Sequence, residues 1–449
     1  MQVKNTLIKL VVIAAVMIPC AAAAQTSSIN AFSPYTMYGI GEQNTPGTLP
    51  MRSMGGVGVA MRSSGVVNLL NPAAFSAAPQ KSFLFNFGLE GQNYYNSQTV
   101  AGQSKSTAYN TFNFHDIAFQ LPLARRLGLG FSLTPYSSVG YRVSADEQSD
   151  DVWGNIGRVQ YLYAGEGDLT EVKLGIGWEV VKRVSIGVAA QYYWGDIERT
   201  YQTVVSNNIV NGGSVNTVTG TDSYGISRIK MQLGLQADLI QSERQVLTLG
   251  ATYDMGGNLR PSVNQTVVNG DIYGTVVRGD TTRMALKLPV QLGVGLYYQN
   301  AKIAAGVDYI YQNWENNESP KSVPGAVNVA YKNTNTVKLG FEYTPNRMDI
   351  RNYLKRWSYR VGFRYGTYYQ TFEGKTLSQY AVTAGFGMPV RFLGRSSIDF
   401  GVEFGQRGND SPLRIDNRQI GLVRQRYVKF SLGLTLFGED SWFVRYKYD

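Results

Sequence analysis

His115 is the only histidine in the chain, and Asp116 follows it directly. A His beside an Asp is part of a Ser-His-Asp arrangement, the chemistry of a lipase or protease. No serine stands in the Gly-x-Ser-x-Gly context that presents a nucleophile, so a structural or interfacial histidine is the favoured reading. Cysteine occurs once, at Cys20, which puts the Cys/His ligand sets of zinc sites out of reach. Asp146, Glu147, Asp150 and Asp151 form an acidic cluster with oxygen ligands of the kind a divalent cation takes, although a solvated loop explains them as well. Lys338, Arg360 and Arg364 are of more interest. An Arg fork matches a carboxylate bidentately, and the three residues suit the head of a fatty acid or another amphipathic anion. The competing assignment is an internal network with Glu342, Asp399 and Glu403. No catalytic residue, metal ligand or cofactor site is assigned.

The elements that carry these residues are strands with a period of two. In Tyr427 to Phe437, Val428, Phe430, Leu432, Leu434 and Leu436 share one face, and Lys429, Ser431, Gly433 and Thr435 share the other. About ten residues is the length a tilted strand needs to cross a bilayer. The pattern recurs from residue 81 onward, for example at Val172, Leu174, Ile176 and Trp178, and at Trp357, Tyr359, Val361, Phe363 and Tyr365. By this parity Lys338, Arg360 and Arg364 point away from the apolar face. Counting the less regular stretch near 109–121 and the final strand gives fourteen, an even number as bacterial barrels use.

Connection lengths sort the two ends. Short links at 122–126, 181–183, 241–243, 300–301 and 391–395 alternate with long ones near 96–108, 144–156, 204–222, 255–282, 313–333 and 407–425. Periplasmic turns and extracellular loops alternate in this way, which puts both termini in the periplasm. Two links depart: 345–355 is long for a turn, and 371–376 is short for a loop. The polar faces are rich in glycine, as at Gly175, Gly177, Gly187, Gly234 and Gly362, so something must approach the backbone closely there. Apolar faces end repeatedly in Tyr or Trp, as interfacial aromatic girdles do.

The first residues read as a processing segment. Lys4 and Lys9 precede the apolar run Leu10–Ile18 and then Ala22-Ala23-Ala24, which gives a secretory signal cleaved after Ala24. Its loss lowers the formal charge from +10 to +8 and, with Cys20 gone, leaves an exported chain without disulfides. No apolar run is long enough for a membrane helix, and no basic helix or zinc-finger spacing points to nucleic acid.

Residues 25–80 differ from the rest. The Gly-rich stretch Gly55-Gly56-Val57-Gly58 leads to Asn71-Pro72-Ala73, in which Asn71 is placed to cap a short helix with Pro72 at its first position. This arrangement before the first strand resembles the hatch of the FadL/OmpP1 family of outer-membrane transporters. The blocks Gly165-Glu166-Gly167-Asp168 and Trp194-Gly195-Asp196, and the ending after Trp442, resemble the family's Bacteroidota members. The resemblance implies an all-β transmembrane antiparallel barrel of about fourteen strands in the outer membrane of a Gram-negative bacterium. It would comprise an N-terminal lumen-plugging hatch over 25–80, a barrel over 81–437 and a periplasmic tail over 438–449. The implied function is passive, hatch-gated uptake of hydrophobic or amphipathic molecules such as long-chain fatty acids. An accessory barrel of type 9 protein secretion is the alternative. Implied partners are outer-membrane lipids, a hydrophobic small-molecule ligand, the barrel-assembly machinery and, in the alternative, secreted proteins. The family's chains commonly stop at a terminal aromatic, whereas here Phe437 is followed by twelve residues.

Overall fold

A computed structural model describes residues 31–439, apart from 79, 81, 101–102, 148–149, 207–214, 270–275, 279–285, 316–328, 391–395, 410–411 and 416–417. The expected signal segment 1–24 and the last ten residues of the expected tail lie outside the described residues.

Fourteen antiparallel strands close into a barrel. They are β1 Ser82–Val100, β2 Gln103–Ala124, β3 Leu127–Asp146, β4 Arg158–Val181, β5 Val184–Ser206, β6 Val215–Gln241 and β7 Gln245–Asp254. The circuit continues with β8 Val290–Asn300, β9 Ile303–Asn313, β10 Thr334–Tyr343, β11 Ser358–Phe372, β12 Lys375–Val390, β13 Ser396–Arg407 and β14 Arg424–Glu439. Closure comes from β1 against β14, in register from Ser82↔Glu439 to Ser97↔Arg424. A closed sheet has no free edge, which is what lets strands cross hydrocarbon. No helix among the described residues is long and apolar enough to cross a membrane. The outward positions Leu174, Ile176 and Trp178 of β4 and Val361, Phe363 and Tyr365 of β11 are exposed, part of a belt that encircles the sheet. Water would not tolerate so large an apolar surface, and lipid requires it.

The strands outrun the sequence pattern at the loop end. β6 has 27 residues, where about ten suffice to span a bilayer. Stretches expected as loops at 96–108 and 204–222 are largely strand extensions paired with their neighbours. Alternation marks only the part of a strand that meets hydrocarbon. Beyond the membrane both faces are wetted and the period of two fades. At 371–376 the connection is a tight hairpin, with Glu373 (φ +47°) and Gly374 (φ +73°) in the left-handed region. β14 runs to Glu439, past the end of the alternation at Phe437.

Residues 31–78 occupy the lumen. They contain three short helical turns, Pro34–Met37, Leu49–Arg52 and Pro72–Ala77, and a two-residue strand, Glu42–Gln43, and are otherwise irregular. Met51, Met54, Val57 and Ala60 bury against Tyr297 and Ala304 of the wall. The inward glycines make room for this segment. A Cβ on Gly362 would overlap the backbone nitrogen of Gly55, and one on Gly187 would overlap the backbone at Pro72–Ala73. Gly362→Val is therefore expected to displace the lumen segment at a cost of about 1–3 kcal/mol. The barrel should still show heat-modifiable migration on SDS gels, while trypsin gains access to Arg52.

Candidate functional site

The site begins at a break in the wall. β2 and β3 pair only from Ile117↔Leu133 to Ala124↔Leu127, although both strands continue well beyond toward the loop end. The cause is local. Gly88 of β1 opposes Asp116 and Leu89 opposes Phe114, so His115 is an extra residue that bends β2. The freed edge of β3 is taken by the lumen segment, with Glu42↔Ser138 and Gln43↔Ser137 in antiparallel register. The amide of Ser33 donates to Gly140 O at 2.8 Å and that of Asn44 to Tyr136 O at 2.9 Å, so β3 bonds to the lumen segment where an uninterrupted wall would bond to β2.

His115 thus has a structural explanation. Its Nδ1 lies 2.7 Å from Asp116 Oδ1 and its Nε2 lies 3.2 Å from the carbonyl of Thr45. In a hydrolase triad the nitrogen opposite the carboxylate faces a serine hydroxyl. Here a backbone carbonyl occupies that position, and such a group accepts hydrogen bonds but supplies no nucleophile.

Beside the break lies a cavity of about 190 Å³ between the plug and the wall. Its charged lining has six cations, Lys173, Lys230, Lys338, Arg364, Arg407 and Lys429, against Glu42, Glu171 and Asp254, and Lys173, Arg364, Arg407 and Lys429 are ion-paired with Glu171, Glu403, Glu42 and Glu90. Lys230 Nζ is held by the carbonyl of Gly257 at 3.1 Å, and Lys338 Nζ by that of Gly56 at 3.1 Å. Their hydrogen-bond acceptors are carbonyls, while the carboxylates of Asp254 and Asp308 lie near enough to offset part of their charge. Toward the loop end the lumen carries a buried aromatic cluster. Trp314 stacks on Tyr369 at 4.3 Å and Tyr35 leans on Phe372 at 5.1 Å. The lumen therefore offers an apolar layer outside and a polar, cation-lined chamber beneath it.

All three basic residues expected in the lumen are there and buried, but their surroundings differ. Arg360 is fully engaged, with Nε on Glu342 at 2.7 Å and Nη1 on Asp399 at 2.5 Å. Arg364 binds Glu403 through Nη2 at 2.5 Å, while its Nη1 has no hydrogen-bond partner among the described residues. Lys338 and Arg364 face the cavity, and Arg360 sits in the ionic network.

Asn71 does more than its expected capping role. Its side chain accepts from Ala73 N at 3.0 Å, and its amide donates to Val59 O at 2.7 Å and to Leu235 O at 3.1 Å. It ties the turn at Pro72–Ala77 both to the Gly-rich stretch and to β6. The acids at 146–151 do not converge on a common point: Asp150 and Asp151 open a short helix, and Asp146 accepts from Gln160 at 3.2 Å. Among the described residues no metal-binding group forms.

Other residues matter that sequence reading did not single out. Arg407 faces Glu42 with N···O contacts of 3.0 and 2.9 Å, and Arg52 pairs with Glu90, which also meets Lys429 at 3.3 Å. Asp308 accepts from the amides of Gly58 at 2.6 Å and Val59 at 2.9 Å. Glu90, Asp308 and Lys429 stood on the inward parity, whereas Arg407 fell at the edge of a stretch expected as a loop, 407–425, and is instead the last residue of β13. Glu42 and Arg52 had no such mark, because the lumen segment has no periodicity.

The closed barrel and its lipid-facing belt define an outer-membrane β-barrel protein with a FadL-like fold. A FadL homologue of Pseudomonas aeruginosa is similar at 13% identity over 89% of this chain and 99% of that one, with a TM-score of 0.61. CymD, a monoaromatic hydrocarbon channel, gives 14% identity, 88% and 98% coverage and a TM-score of 0.55. The Pseudomonas putida toluene transporter TodX gives 14%, 89%, 99% and 0.54. No curated protein matches the sequence. The family description BamG matches residues 6–449, and the chain belongs to the BamG family.

Arg407→Met is expected to leave the Glu42 carboxylate buried and unpaired next to the wall break, at a cost of about 3–5 kcal/mol. Removing the charge from both partners (Arg407→Met with Glu42→Gln) should recover most of that loss. Thermal unfolding followed by heat-modifiable mobility would measure both variants.

Proposed function

We propose that this protein is a passive outer-membrane channel for a hydrophobic or amphipathic small molecule, of which a long-chain fatty acid is the type, with residues 31–78 acting as its hatch. The observation that carries this reading is the position of the cation-lined cavity. It abuts a stretch of wall where β3 is paired with the plug and not with β2. An apolar tail would first meet the aromatic layer, and an anionic head would then face Lys338 Nζ and the unpaired Nη1 of Arg364. Displacing Glu42–Gln43 would expose the freed edge of β3 and open a path sideways into lipid or down the lumen. Such movement exchanges hydrogen bonds between extended segments and does not require the barrel to unfold.

Membership of the BamG family favours a second reading, an accessory barrel associated with barrel-assembly machinery or, as the alternative resemblance implies, with type 9 secretion. There the fixed plug would seal the lumen while the loops engage other proteins.

One experiment separates the two. Gln43→Cys and Ser137→Cys are register partners in antiparallel pairing, where Cα atoms lie about 4.5–5.5 Å apart, within disulfide range. In a Cys20→Ser background the cross-link should abolish uptake of a fluorescent fatty acid into proteoliposomes, and reduction should restore it. Uptake that ignores the cross-link would defeat the channel reading. Growth supported by the cross-linked protein, with outer-membrane assembly partners co-purifying, would favour the second.

A further inference from the structure

The connection between β10 and β11 is too long for a periplasmic turn, and the plug and cavity give it no role. Residues 345–357 carry Arg347, Arg351, Lys355 and Arg356 against one acid, Asp349. Three apolar side chains stand in solvent among them: Ile350 is 98% exposed, Met348 79% and Leu354 54%. The segment is nonetheless built. Asn346 N donates to Lys355 O at 2.8 Å, and Asn352 caps a helical turn by accepting from Leu354 N at 3.1 Å. The Asp349 carboxylate accepts from the amides of Asn352 at 2.7 Å and Arg351 at 2.9 Å. A loop held this firmly while projecting its apolar residues needs something to cover them.

Its direction identifies the cover. Tyr353 reaches over the outer surface to donate to Pro389 O at 2.8 Å. Trp357 stacks on Phe386 at 5.0 Å, and Phe386 stacks on Phe400 at 5.3 Å. Tyr359 pairs in register with Phe386, and Phe386 with Phe400, across the lipid-facing side of β11, β12 and β13, so the loop is continuous with the hydrocarbon belt. The neighbouring turns at this end add Arg125, Arg183, Arg244 and Lys302, all exposed. Basic groups level with interfacial aromatics are placed where phosphates of a bilayer leaflet lie.

We infer that residues 345–357 are a docking site for anionic phospholipid headgroups of the periplasmic leaflet. Ile350, Met348 and Leu354 enter the acyl boundary, and Arg351 and Lys355 engage phosphates. This site depends on the protein's outer-membrane placement and is independent of what the lumen carries.

The test uses the full chain in a Cys20→Ser background with a nitroxide on Ile350→Cys. It is reconstituted in phosphatidylcholine vesicles with and without roughly a third phosphatidylglycerol. The nitroxide is expected to be shielded from a water-soluble nickel chelate, more strongly when phosphatidylglycerol is present. Native mass spectrometry should find phosphatidylglycerol retained over phosphatidylcholine. Arg351→Glu and Lys355→Glu should each lower that preference about fivefold or more, the weight of one basic group at an anionic leaflet. Heat-modifiable mobility reports whether each variant folds, and the two vesicle compositions decide the matter for the unsubstituted loop if it does not. A nitroxide equally open to the chelate in both compositions, with no lipid preference, would overturn the inference and reassign the loop to a soluble periplasmic protein.

Discussion

Residues 31–78 carry main-chain amides and carbonyls that neither a long helix nor a sheet absorbs, and the barrel wall absorbs them. Asp308 takes the amides of Gly58 and Val59, and Thr383 takes that of Gly55 at 2.9 Å while donating to Ser53 O at 3.0 Å. Gln236 donates to the carbonyls of Val59 and Met61, Gln120 to that of Phe75, and Lys173 to that of Leu69. Buried backbone polar groups must find partners, and an irregular segment inside a closed cylinder finds those its own turns do not supply on the wall. The inward faces are therefore a mixture of glycine, which lets main chain lie on main chain, and polar side chains that reach the remaining groups.

Charge is distributed with the same logic. Lys429, Glu90 and Arg52 connect β14, β1 and the plug, and Arg407 with Glu42 connects β13 to the plug. Arg407 also lies over the ring of Tyr368 at 4.8 Å. Buried pairs of this kind contribute little net stability over apolar substitutes, but a mispaired charge costs several kcal/mol, so they fix position more than they add strength. On the opposite side of the lumen the plug rests against β4, β5 and β6 largely through the close approach of Pro72–Ala77 to glycines. Charge and shape act on both sides: Arg62 bridges Glu179 of β4 and Asp238 of β6, and Gly55 lies against Gly362 of β11. The wall break and the cavity lie where the β2–β3 ladder gives way to the plug.

Much of the barrel could be read from the chain. The parity of Val172, Leu174, Ile176 and Trp178 against Gly175 and Gly177 held through the hydrocarbon span, because lipid on one side and protein on the other impose opposite demands on adjacent residues. The same parity placed Lys338, Arg360 and Arg364 inside. It could not distinguish Arg360, held between Glu342 and Asp399, from Arg364, which keeps one nitrogen unbonded, since which acid each guanidinium reaches is set by strand register and side-chain conformation. Strand lengths beyond the membrane were underestimated at 96–108 and 204–222 for the reason that made the rest legible: where both faces meet water, nothing enforces alternation.

By itself the sequence determined the sheet: its antiparallel order, its inside and outside, and the even number of its strands. These follow from local chemistry repeated every second residue against a uniform solvent. Only the tertiary structure decided how the lumen is filled, where the wall is interrupted at His115, and which cations face open space. Each of those depends on contacts between segments tens to hundreds of residues apart, as between Glu42 and Arg407 or Thr45 and His115. No period in the chain records such contacts, because they arise only when the cylinder closes around its own N-terminal segment.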